Sequence, residues 1–156
     1  MTTHGPQSPL LAGNTNPKAP RAAGTVPPST KTIVTALSVL KVVFGLGLIA
    51  APGLLCKVFL LDPIEPQTAV ICRLYGSACI GLGYLTWMLN RAHTLEAVDK
   101  SVLKHAVVVN IAADAMDVIS CLVGYFGGLY GLDALGVLGG GCFALEALGF
   151  VAYSRF

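Results

Sequence analysis

Apolar residues gather along this chain in four long runs, separated by short polar stretches. The first covers about 32–51, IVTALSVLKVVFGLGLIAA, broken by the single charge of Lys41 and ended by Pro52-Gly53. About 20 residues at ~1.5 Å each give the ~30 Å that a bilayer core demands. LLCKVFLLDP follows; it is too short to span and reads as an amphipathic segment lying in the interface, closed by Asp62-Pro63 and Pro66. The second run covers 68–89, with Arg73 near its start and Tyr84 and Trp87 near its end, where aromatic rings suit the headgroup level. A polar stretch over 90–104 leads to the third run, 104–127, centred on AVVVNIAADAMDVISCLVGYFGG. The turn GLYGLD then precedes the fourth, 134–153, which holds Gly139-Gly140-Gly141 and Glu146. The pattern predicts an all-α membrane protein: a bundle of four transmembrane helices over 32–156.

The first 31 residues are a different material. They hold six of the nine prolines and no acidic residue, and cannot bury enough apolar area to offset the cost of ordering, so they read as a disordered tail. No charged start runs into an apolar core, as a cleaved signal peptide requires, and the prolines spoil the amphipathic helix of a mitochondrial presequence. The plasma membrane or an endomembrane is therefore the expected home.

Composition supports lipid as the solvent. Hydrophobic residues make up 54% of the 156 and charged residues 12%, about half the share of a soluble domain; the mean hydropathy is +0.73. A formal charge of +2 without a clustered basic face excludes a nucleic-acid partner. Cationic side chains nonetheless alternate by side. Lys18, Arg21 and Lys31 precede the first run, Arg91, Lys100 and Lys104 fall between the second and third, and Arg155 follows the fourth. Between the first and second runs there is only Lys57, and the last turn offers Asp133. This asymmetry places both termini in the cytoplasm.

The chemistry concentrates in the third run. Asn110, Asp114, Asp117 and Cys121 are spaced four, three and four, which puts them on one helical face. His105 falls about half a turn away from Asp114 and points elsewhere. Counting residues from each run's centre puts Lys41, Asp114, Asp117 and Glu146 in one slab of the membrane, with Lys41 and Asp114 best matched in depth. Arg73 lies about 8 Å toward the non-cytoplasmic surface, within reach of snorkelling outward. A charge at mid-depth costs several kcal/mol and needs a partner, a proton or a water-filled cavity. The expectation is a buried polar cluster of Lys41, Asn110, Asp114, Asp117 and Glu146, with Arg73 as an outer-side cation. It would act as interhelical glue, as a proton or small-solute path, or as acid–base machinery in which Asp114, Asp117 or Glu146 is the catalytic group.

The five cysteines form no CxxC pair, and no histidine lies deep in a run, so no metal, haem or other cofactor is expected. Gly124-xxx-Gly128, Gly127-xxx-Gly131 and Gly136-xxx-Gly140 permit close helix approach, most plainly within one chain and alternatively in a homo-oligomer, with a flexible hairpin between the third and fourth runs.

The segments GLGLIAAPGLLCKVFLLDP and RLYGSACIGLG, within 42–89, resemble the first half of DoxX-like four-helix membrane proteins. There a helix ends at a proline, a short interfacial segment follows, and an aromatic-glycine helix comes next. The resemblance implies fold and membrane location and carries over no catalytic residue. The Pro-rich start also resembles small fungal membrane proteins found beside biosynthetic enzymes. Two functions are expected: an accessory or solute-handling membrane protein, or a membrane-embedded isomerase, cyclase or oxygenase acting on a hydrophobic small molecule.

Overall fold

A computed structural model describes residues 25–61 and 65–156, all helix and connecting turns. Five helices run in order: α1 Pro28–Ala50, α2 Pro52–Val58, α3 Pro66–Thr94, α4 Lys100–Phe126 and α5 Leu132–Ser154. α1, α3, α4 and α5 are each long and apolar enough to cross a membrane. The tail reading for residues 1–24, and the Asp62-Pro63 stop, lie outside the described residues.

Proline sets where the early helices begin. Pro28, Pro52 and Pro66 each occupy the first helical turn, where a missing N–H costs nothing and the fixed φ suits the helix. Pro52 also ends α1, because the residue before a proline is pushed out of the helical region, and Ala51 sits outside it at φ −145°, ψ 63°. α1 therefore starts four residues earlier than the apolar run suggests, and α3 continues to Thr94, five residues past its expected end. Polarity misled the reading there: Asn90 and His93 are buried and belong to the helix.

α2, α3 and α4 stop in the same way. The residue after each C-cap is left-handed (Leu60, Glu96 and Gly128, at φ 57°, 58° and 73°), and two backbone bonds run back to the last turn. In α4 these are Leu129 N–H to Gly124 O at 3.0 Å and Gly128 N–H to Tyr125 O at 3.0 Å. The turn after α4 is tied further by Tyr130, whose hydroxyl donates to the Cys121 carbonyl at 2.5 Å while its ring covers Gly124. Tyr130 thus ties the turn of the hairpin between the third and fourth runs back to α4.

α1 lies antiparallel along α3, and α4 antiparallel along α5; contact between these two pairs is thinner. The α1–α3 crossing is built on glycines. A methyl group added at Gly45 would sit 2.4 Å from the Gly76 carbonyl oxygen, and one at Gly83 would sit 2.7 Å from that of Ser38. On the other pair, Gly149 receives Ile111. By contrast Gly128, Gly131, Gly136 and Gly140 face open space, so the three Gly-xxx-Gly pairs do not pack this chain's own helices together. Close approach within the chain rests instead on the glycines of the faces that α1 and α3 share.

A small apolar core of Val34, Leu103, Val107 and Ala152 closes one end of the bundle, where α1, α4 and α5 meet. The outer faces carry Val43, Leu46, Ile71, Met116, Val123 and Phe143 exposed. A surface this apolar suits hydrocarbon, and the chain has the build of an integral membrane protein.

We expect Gly45→Ala to destabilise the detergent-solubilised protein by about 1–3 kcal/mol, because the new methyl meets backbone that cannot yield. Gly81→Ala, facing open space on α3, should leave the unfolding midpoint unchanged or raise it. Thermal unfolding of the two variants beside the parent checks this.

Candidate functional site

Side chains from α1, α3 and α4 converge at mid-height. Lys41 of α1 and Asp114 of α4 form an ion pair, Nζ to Oδ1 2.5 Å, with their side chains only 5% and 3% exposed. α1 and α4 make little backbone contact. The length of the lysine stem lets the two helices join across the bundle. One helical turn along α4, Asn110 donates to the Thr86 hydroxyl of α3 at 2.8 Å, and Thr86 in turn donates to the Leu82 carbonyl at 2.8 Å. On the other side of Asp114, the Tyr75 hydroxyl of α3 donates to the Asp117 carboxylate. The polar stripe of α4 is thus divided: Asn110 and Asp117 bind α3, and Asp114 between them binds α1.

The remaining residues expected in the cluster stand apart. Glu146 of α5 is half-buried; it lies close enough to act on Asp114 electrostatically, yet it has no hydrogen-bonding partner among the described residues. Arg73 is exposed on α3, without an ion-pair partner among them. His105 is exposed and its Nδ1 lies 2.6 Å from the Ser101 carbonyl of its own helix.

Beside the ion pair is a cavity of about 100 Å³, lined by Lys41, Tyr75, Cys79, Ala113 and Asp117 among others. Lys41 and Cys79 are buried at its floor, and Tyr75 and Ala78 are exposed at its rim, so it opens sideways between α3 and α4. An ammonium carries three donors, and Lys41 spends one on Asp114. Its other two are available to whatever occupies the cavity. Asp117 likewise keeps one oxygen free of Tyr75. The volume suits a few water molecules, at ~30 Å³ each, or one functional group of a larger molecule. It is well below the ~300 Å³ at which whole-ligand pockets begin.

Tyr75 and Thr86 were not legible as site residues. Both look like ordinary members of an apolar-aromatic run until α3 is laid antiparallel to α4, which brings Tyr75 level with Asp117 and Thr86 level with Asn110. Among the described residues no three His, Cys, Asp or Glu side chains converge as metal ligands.

Removing one half of a buried ion pair leaves a bare charge, whereas removing both leaves an apolar contact. Lys41→Met and Asp114→Leu should each cost about 3–5 kcal/mol, and the double variant much less than their sum. A double-mutant cycle by unfolding in detergent measures this coupling. No protein-family model, curated protein or solved structure matches this chain.

Proposed function

We propose that this is a multi-pass membrane protein carrying a mid-depth acid–base site for one carbonyl or hydroxyl group of a lipid-dissolved small molecule. The observation that supports it is the side-opening cavity on which Lys41, Tyr75 and Asp117 converge. A carbonyl oxygen entering there meets the spare ammonium donors of Lys41. The free oxygen of Asp117 takes a proton from the adjacent carbon, the bonding electrons pass to the carbonyl oxygen, and Lys41 stabilises the resulting enolate. Return of that proton to a different carbon completes an isomerisation, with no oxidant and no cofactor required. Tyr75 holds Asp117 in place and extends the proton path to the rim. In this scheme Asp114 keeps Lys41 charged and oriented, and Glu146 has no direct part.

The ends of the bundle suggest its orientation. Lys31, Arg91, Lys100, Lys104 and Arg155 fall at the end holding the start of α1 and the finish of α5, and Lys57 falls at the other. We place the former in the cytoplasm.

A second reading, an accessory protein whose polar groups only fasten helices, is favoured by the closed Lys41–Asp114 pair and the small cavity. The two readings separate in cells that produce the protein. Gene deletion, complemented with the parent, Asp117→Asn or Tyr75→Phe, should leave a lipophilic carbonyl compound accumulating in the deletion and with Asp117→Asn. The parent should clear it, and Tyr75→Phe should clear it about 10²-fold or more slowly, the scale of one acid–base group. Identical lipid-soluble profiles in all four strains would leave the fastening role standing alone.

A further inference from the structure

A second feature lies on the opposite flank of α3, away from the acid–base site. Between α1 and α3 runs an apolar groove of about 250 Å³, walled by Val39, Val42, Val43, Tyr84 and Trp87. At the end of the bundle that carries most of the cationic residues it opens into a wider hollow of about 630 Å³, with Val39 and Trp87 common to both. The wider part changes character: its wall includes Lys31 and Arg91, the hydroxyls of Thr32, Thr35 and Thr94, and no acidic residue. The two parts form one channel along the helix pair. From Lys31 to Val43 it extends about 18 Å, close to the ~15 Å of one leaflet's hydrocarbon.

Each end has chemistry of its own. Neither Lys31 nor Arg91 forms an ion pair among the described residues. Arg91 is held over the Trp87 ring, 5.6 Å from its centroid, so its guanidinium is fixed where the apolar groove meets the hollow. Glu96 lies with Lys31 in a separate small cavity and is not bonded to it. Asn90, 5% exposed, lines the hollow; it donates to the Lys31 carbonyl at 3.1 Å and to the Thr35 hydroxyl at 2.9 Å, which ties the hollow's two helices together. Its side-chain carbonyl oxygen, Oδ1, has no partner among the described residues.

We infer that this groove is a binding site for one anionic phospholipid, its phosphate between Lys31 and Arg91 and one acyl chain lying against Val39, Val42 and Val43. The charge pattern selects this occupant. A zwitterionic headgroup such as phosphatidylcholine brings no net negative charge to two unpaired cations, and a free anion would leave the apolar half unused. The assignment rests on the membrane-spanning reading and not on the acid–base site. The membrane leaflet that carries anionic lipid is the cytoplasmic one, the side on which we place Lys31 and Arg91.

The test uses the full chain purified in a mild detergent, with native mass spectrometry of lipid retention on adding phosphatidylserine or phosphatidylcholine. We expect one phosphatidylserine retained per chain, and about tenfold or greater weakening in the Lys31→Gln/Arg91→Gln double variant. Val39→Trp, which fills the groove without changing charge, should weaken it as well. Lys57→Gln, at the other end of the bundle, should have no effect. Thermal unfolding in lipid-free detergent confirms that each variant is folded; if the double variant is not, Val39→Trp and the lipid comparison carry the test. Equal retention of phosphatidylcholine, displacement by inorganic phosphate alone, or retention unaltered by Val39→Trp would overturn the assignment.

Discussion

A bundle with an apolar exterior must keep its few charges away from that exterior, and one ion pair meets most of this requirement. Lys41 and Asp114 neutralise one another where neither could remain charged alone. They also join the α1–α3 pair to the α4–α5 pair, whose backbone contact is thin. The rest of the polar layer follows from that pairing. Because Asp114 faces α1, its neighbours along α4, Asn110 and Asp117, face α3, where Thr86 and Tyr75 meet them. The side-opening cavity is what remains where Lys41 reaches across without filling the space between α3 and α4.

Two kinds of packing divide the labour. Within the α1–α3 pair, Gly45, Gly76 and Gly83 bring backbones into direct contact, an arrangement that gains dispersion and excludes anything larger than a hydrogen. Between the pairs, long polar side chains span a wider gap. Close packing fixes the pairs; the polar bridges fix how one pair sits against the other. A gap bridged by polar groups is also the place in such a bundle where a foreign polar group can be received.

Much of this was legible in the sequence because lipid imposes strict lengths. Four apolar runs gave four long helices, and matching depths along straight helices placed Lys41 opposite Asp114, whose side chains meet. Depth alone does not give azimuth, however. Glu146 shares the slab, but it stands half-buried on α5 without a hydrogen-bonding partner among the described residues. Tyr75 enters the site only once α3 is known to run antiparallel beside α4. Helix ends followed local chemistry: prolines marked the starts of α1, α2 and α3, whereas Asn90 and His93 looked like loop residues and are buried helix residues. The glycine pairs do not pack helices within the chain, for the same reason that Glu146 stands apart: spacing along one helix says nothing about which neighbour it meets.

The bundle depends on a charged lysine and aspartate in direct contact within the bilayer. Solid-state NMR on the protein in lipid, with ¹⁵N-lysine and ¹³C-aspartate, measures this directly. We predict one strong Nζ-to-carboxylate dipolar contact, absent from Lys41→Met and retained in Lys57→Gln. A spectrum without that contact, or one in which it survives Lys41→Met, would contradict the pairing on which the structure turns.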